Sequence, residues 1–80
     1  MGNDNLSAFG QRVKYLRKNK GLSQEEMAAL AGIDRSYMGH IERGEKNITL
    51  TKIYQISEAL GIDVADLFPR AGDEGDSSAI

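Results

Sequence analysis

The sequence predicts an all-α fold, a compact arrangement of five short helices, on three observations. Apolar residues recur at spacings of three and four along most of the chain. No segment shows the strict apolar–polar alternation of a half-buried strand. Each periodic run is closed by a glycine or a proline. With 80 residues the chain has room for one domain.

The first helix is expected over Leu6 to Lys20, where Phe9, Val13 and Leu16 form an apolar stripe. Arg17, Lys18 and Lys20 enrich its last turns, where cations suit the negative end of the helix dipole, and Gly21 supplies the stop. The second helix opens on Ser23-Gln24-Glu25-Glu26, a capping box in which Ser23 and Glu26 satisfy each other's orphan backbone donors. Met27, Leu30 and Ala31 make its expected buried face, and Gly32 ends it after about two turns. Asp34 is the N-cap of the third helix, which runs to Arg43 before Gly44. The fourth spans Thr51 to Leu60, with Ile53, Ile56 and Leu60 inward and Gly61 as its stop. Asp63 caps a last short helix over Val64 to Phe68, ended by Pro69. These elements place one ordered domain over residues 6–70, after a flexible N-terminus at 1–5. The glycine-, serine- and acid-rich stretch 71–80 reads as a disordered acidic tail.

Composition removes several classes of function. Cysteine is absent, so disulfides, thiolate metal sites and a cysteine nucleophile are absent too. His40 is the single histidine and has no companion set for a metal. No nucleophile–base pair, metal set or phosphate loop is present, so we expect no enzyme, no metal and no cofactor. No apolar run approaches the ~20 residues that span a bilayer, and Met1 to Asn5 lack the layout of a signal peptide, so a cytoplasmic protein without a membrane partner is expected. The net charge of −2 is unevenly spread. Residues 6–70 hold all ten Lys and Arg against eight of the twelve acids, an excess of two positive charges.

The two short helices Ser23–Ala31 and Arg35–Arg43, joined by a tight turn at Gly32-Ile33-Asp34, have the layout of a helix-turn-helix. On the second of them, at about 100° per residue, Met38 and Ile41 point one way with Glu42 at the edge. Arg35, Ser36, Gly39, His40 and Arg43 share an opposite arc of roughly 140°. That arc carries groups able to meet base edges or phosphates, and Arg can pair bidentately with guanine in a major groove. Gly39 costs ~1 kcal/mol relative to alanine in a helix interior, which points to a close approach at this position.

The run from Gly21 to Leu50 resembles the Cro/repressor-type helix-turn-helix family, also called the XRE family. The matching pieces are Leu22-Ser23-Gln24, Ala28, Gly32, Ile41-Glu42-Arg43-Gly44 and Ala59-Leu60-Gly61-Ile62. Within it, Asp34-Arg35-Ser36-Tyr37 with Glu42-Arg43-Gly44 and Asn47 is similar to restriction-modification controller proteins. The resemblance covers about residues 6–68 and implies a lambda-repressor-like DNA-binding domain. It implies phosphate contacts from Gln24, Arg43 and Asn47, base contacts from Arg35, Ser36 and His40, and a flank contact from Tyr37, with Lys46 a weaker candidate. It also implies a partly buried salt bridge between Arg17 and Glu42.

The expected function is therefore a transcriptional regulator that binds a palindromic double-stranded DNA operator as a homodimer, with the third helix in the major groove. Tyr54, Val64, Leu67 and Phe68 are the candidates for spare apolar surface between subunits. The residues after 70 hold nothing suited to an effector, so no small-molecule effector is expected. The competing reading is an antitoxin-like or other protein-interaction module on the same fold.

Overall fold

The structure, a computed structural model, describes residues 4–69. It contains four α-helices and a final single turn: α1 (Asp4–Asn19), α2 (Gln24–Ala31), α3 (Arg35–Arg43), α4 (Leu50–Leu60) and a 3-10 turn at Val64–Leu67. The fold class is all-α as expected, but the fifth helix is corrected to this 3-10 turn. Asp63 makes no side-chain capping bond there, and Phe68 has already left helical geometry before Pro69. The first helix begins at Asp4, two residues before its expected start, so Asp4 and Asn5 are helical. The fourth begins at Leu50 because Thr49 caps it, its hydroxyl accepting from Lys52 N at 3.2 Å. Residues 1–3 and 70–80, including the acidic tail, lie outside the described residues.

The predicted starts of α2 and α3 and the glycine stops are realised locally. Glu26 N donates to Ser23 Oγ at 2.9 Å and Ser23 N donates to Glu26 Oε1 at 2.8 Å, closing the capping box. Asp34 Oδ2 accepts from Ser36 N at 3.0 Å and Tyr37 N at 3.3 Å. Gly21, Gly32, Gly44 and Gly61 all have positive φ, the left-handed geometry in which chains leave helices.

The core gathers Phe9 and Val13 of α1, Met27, Ala28 and Ala31 of α2, Ile33, Met38 and Ile41, Ile56 and Leu60 of α4, and Leu67. One expected core residue is corrected: Leu30 is 60% exposed. Met27, Ala28 and Ala31 set the centre of the buried arc on α2, and Leu30 falls about 110° away from it, at ~100° per residue.

Helix α1 lies against α3, and two glycines allow the approach. A Cβ on Gly10 would stand 2.4 Å from the Ile41 carbonyl oxygen and 2.6 Å from that of Glu42. Both obstacles are backbone, so the helices would have to separate. Gly44, at φ +71°, faces Ser7, whose Cα would lie 2.7 Å from an added Cβ. Gly10→Ala should therefore destabilise the fold by roughly 1–3 kcal/mol, although alanine is the better helix former. Chemical denaturation checks this, and a variant as stable as the wild type would show that the α1–α3 contact has slack.

Candidate nucleic-acid interface

Helix α3 is amphipathic, and its buried face decides where the other face points. Met38 and Ile41 are in the core, with Glu42 beside them at 5% exposure. A carboxylate that deep must be compensated. Arg17 does so: its Nε donates to Glu42 Oε2 at 2.7 Å and its Nη2 to Glu42 Oε1 at 2.9 Å, a two-pronged pair. Arg17 is itself buried, and its remaining Nη1 donates to the Leu22 carbonyl at 2.9 Å. The hydrogen bonds to Glu42 outweigh the cost of burial and raise the Arg17 pKa above the usual guanidinium value. The pair thus joins α1, the entry to α2, and α3.

The bridge reaches the surface through Gln24. Its Nε2 donates to Glu42 Oε1 at 3.0 Å, using one of its two amide N–H groups. Gln24 is half-buried and sits across from Gly39. An added Cβ on Gly39 would lie 3.4 Å from Gln24 Oε1 and 3.1 Å from Arg43 Nη1. Gly39 was expected on the outward arc. It is buried instead, because the Gln24 and Arg43 side chains lie over it. Its missing side chain makes room for these two, which brings Gln24 and Arg43 together on one surface.

The remaining expected site residues fall into three places. Arg35 and Ser36 are exposed on the first turn of α3. Arg35 Nη1 lies 3.2 Å from Glu25 Oε2 of α2, and both side chains are about two-thirds exposed or more, at 67% and 71%. His40 and Arg43 on the last turns converge on Glu45: His40 Nδ1 is 2.7 Å from Glu45 Oε1, and Arg43 Nε donates to Glu45 Oε2 at 3.0 Å. Tyr37 is partly buried against the core, and its hydroxyl donates to the Asn47 carbonyl at 2.7 Å. Lys52 Nζ lies over the Tyr37 ring, 5.2 Å from its centroid. Tyr37 therefore fixes the course of the α3–α4 loop, and Asn47 meets it through backbone, leaving its side chain exposed. Glu25, Glu45 and Lys52 were not singled out from sequence. Glu45 follows the left-handed Gly44, so helical spacing gives no sign of its return over α3.

Among the described residues no group of three His, Cys, Asp or Glu is placed to hold a metal ion. No helix among them is long and apolar enough to cross a membrane.

A family model described as helix-turn-helix, HTH_3, matches residues 13–67. The chain belongs to this helix-turn-helix family. HTH_3 proteins are the XRE type of DNA-binding transcriptional regulators, not enzymes. Among its HTH_3 relatives is the control protein C.MunI of a Mycoplasma species, 45% identical over 67 residues, covering 82% of this chain and 90% of C.MunI. Among solved HTH_3-type structures, the restriction-modification controller protein C.AhdI from Aeromonas hydrophila superposes with a TM-score of 0.78 at 51% identity, over 79% of this chain and 96% of that one. The biofilm regulator SinR, solved in complex with DNA, superposes with a TM-score of 0.71 at 38% identity, over 74% of this chain and 95% of that one.

Proposed function

We propose that this HTH_3 regulator binds a two-fold symmetric operator in double-stranded DNA as a homodimer, each α3 entering a major groove. The observation that carries the reading is the exposed face of α3. Arg35, Ser36, His40 and Arg43 lie on it, flanked by Gln24 and Asn47, while the buried Arg17–Glu42 pair fixes the helix behind them. Arg35, at the N-terminal end of α3, is the base reader with Ser36 beside it; helices of this type present their first turns to base edges. Gln24 and Arg43, brought together over Gly39, hold phosphate, as does the Asn47 loop. C.AhdI is a restriction-modification controller protein, C.MunI is a control protein and SinR was solved on DNA, which supports this use of the face. The cellular process regulated is read by the same analogy as restriction-modification control.

One α3 reads only a few base pairs, so specificity calls for a second subunit about one DNA turn, ~34 Å, away. Leu50 and Tyr54, 66% and 52% exposed, stand one turn apart on α4 and supply the apolar surface for that pairing. Leu67, considered for the same role, is fully buried and completes the monomer core. Phe68 is partly exposed but packs on Phe9, ring centroids 5.1 Å apart.

Selection of bound duplexes from a random pool tests the reading, with footprinting of the selected site. A two-fold symmetric sequence with one continuous footprint is expected. A wild-type protein that retains no duplex, or holds a lone half-site as tightly as the full site, overturns the dimeric operator reading. Tyr54→Glu should weaken self-association and cooperative binding while leaving the helical circular-dichroism signal intact. Sedimentation equilibrium reads this directly, and an unchanged association constant places the subunit contact elsewhere.

A further inference from the structure

Glu45 is an acid in the middle of a face read above as meeting phosphates. Its two carboxylate oxygens are both engaged, one 2.7 Å from His40 Nδ1 and the other accepting from Arg43 Nε at 3.0 Å. The backbone holds it there: after the left-handed Gly44, Glu45 N donates to the His40 carbonyl at 2.9 Å, which folds the chain back over the last turn of α3. We propose that Glu45 limits the affinity of the DNA face, its carboxylate standing in the free protein where a DNA phosphate stands in the complex, so that it must be displaced from Arg43 and His40 before either engages DNA. This rests on the DNA-binding reading of α3.

Three observations support the assignment. A carboxylate and a phosphate offer a guanidinium the same pair of oxygen acceptors, so one can replace the other. The pair is accessible, with the Arg43 and Glu45 side chains 54% and 47% exposed, so exchange needs no unfolding. The Glu45 side chain is also not needed to cap the helix. An acid at a helix C-terminus faces the negative end of the dipole, and the Gly44 exit is closed by backbone hydrogen bonds alone. The hydrogen bond from Arg43, and then that with His40, hold the Glu45 pKa below the usual carboxylate value, so it stays charged at neutral pH and opposes an approaching phosphate.

The displacement cost is the same for every DNA sequence, because phosphate carries no sequence information. Glu45→Gln keeps the shape and removes the charge. Binding to a random-sequence duplex would be measured for the wild type, Glu45→Gln, Arg43→Ala and the double variant at several salt concentrations, with thermal melting of each. Glu45→Gln should bind about two- to fivefold tighter per subunit, as expected for release of an exposed ion pair. It should steepen the log–log salt dependence by up to about one unit, with Tm lowered by no more than the few degrees that one exposed ion pair accounts for. In the Arg43→Ala background most of that gain should vanish. If the wild type binds and Arg43→Ala weakens it, but Glu45→Gln is neutral or weaker, the proposal alone fails and Glu45 serves instead to position Arg43 and His40. A gain of equal size in the Arg43→Ala background also overturns it, since that would be bulk charge and not displacement. If the wild type does not bind, or Arg43→Ala changes nothing, the DNA-face reading fails and this proposal with it.

Discussion

Glu42→Ala should cost about 3–5 kcal/mol of folding stability, the range for breaking one partner of a buried ion pair. The effect has three sources in the geometry. Arg17, 7% exposed, loses two hydrogen bonds and keeps a charge with only the Leu22 carbonyl as partner. Gln24 loses the acceptor that holds its amide. The space left lies between α1 and α3, where Gly10 already brings the backbones into contact. An exposed pair would cost under about 1 kcal/mol, so the size of the loss reads out burial. Denaturant unfolding monitored by circular dichroism measures it, and a change inside that smaller range contradicts the buried bridge. Replacing both partners by apolar residues of similar volume is the informative control. It removes the stranded charge and should recover much of the loss, yet leave Gln24 unanchored and DNA binding weakened.

The second large effect belongs to Arg35. Arg35→Ala should lose about 1–3 kcal/mol per half-site, doubled on a two-fold operator, and flatten the preference at one base position in each half. Its partner in the free protein, Glu25, is exposed and replaceable, so the guanidinium is free to leave it for a base. Gln24→Ala should weaken all sequences about equally with little change in salt dependence, because the amide is neutral. Affinities would be measured against every single-base variant of the selected operator. An Arg35→Ala protein with an unaltered preference profile would remove this residue from base reading, and with it the assignment of the first turn of α3 to the groove.

Comparison of the two variants marks the boundary between what the residues alone disclose and what they do not. The helix-turn-helix and its ends were legible because their causes are local. Ser23 with Glu26, Asp34 with Ser36, and the glycine stops each close hydrogen bonds within a few residues, so the chain carries them wherever it folds. The outward set Arg35, Ser36, His40 and Arg43 was legible for the same reason, since Met38 and Ile41 fix the helix's rotation. Arg17 and Glu42 lie 25 residues apart, and only the family resemblance paired them. Three features were decided by tertiary structure. Leu30 is outside because two alanines and Met27 centre the buried arc of α2 elsewhere. Gly39 is covered because Gln24, from another helix, and Arg43 lie over it. Gly10 signals an unusual position by its cost within a helix, but not that the neighbour is the backbone of α3. Glu45 is a different case: it reaches His40 and Arg43 within five residues, through a left-handed turn that breaks helical spacing, so its position is local yet invisible to periodicity. Periodicity says which face of a helix is buried; it does not say which atoms of another segment fill the space against that face, because those neighbours are brought in by the packing of the whole chain.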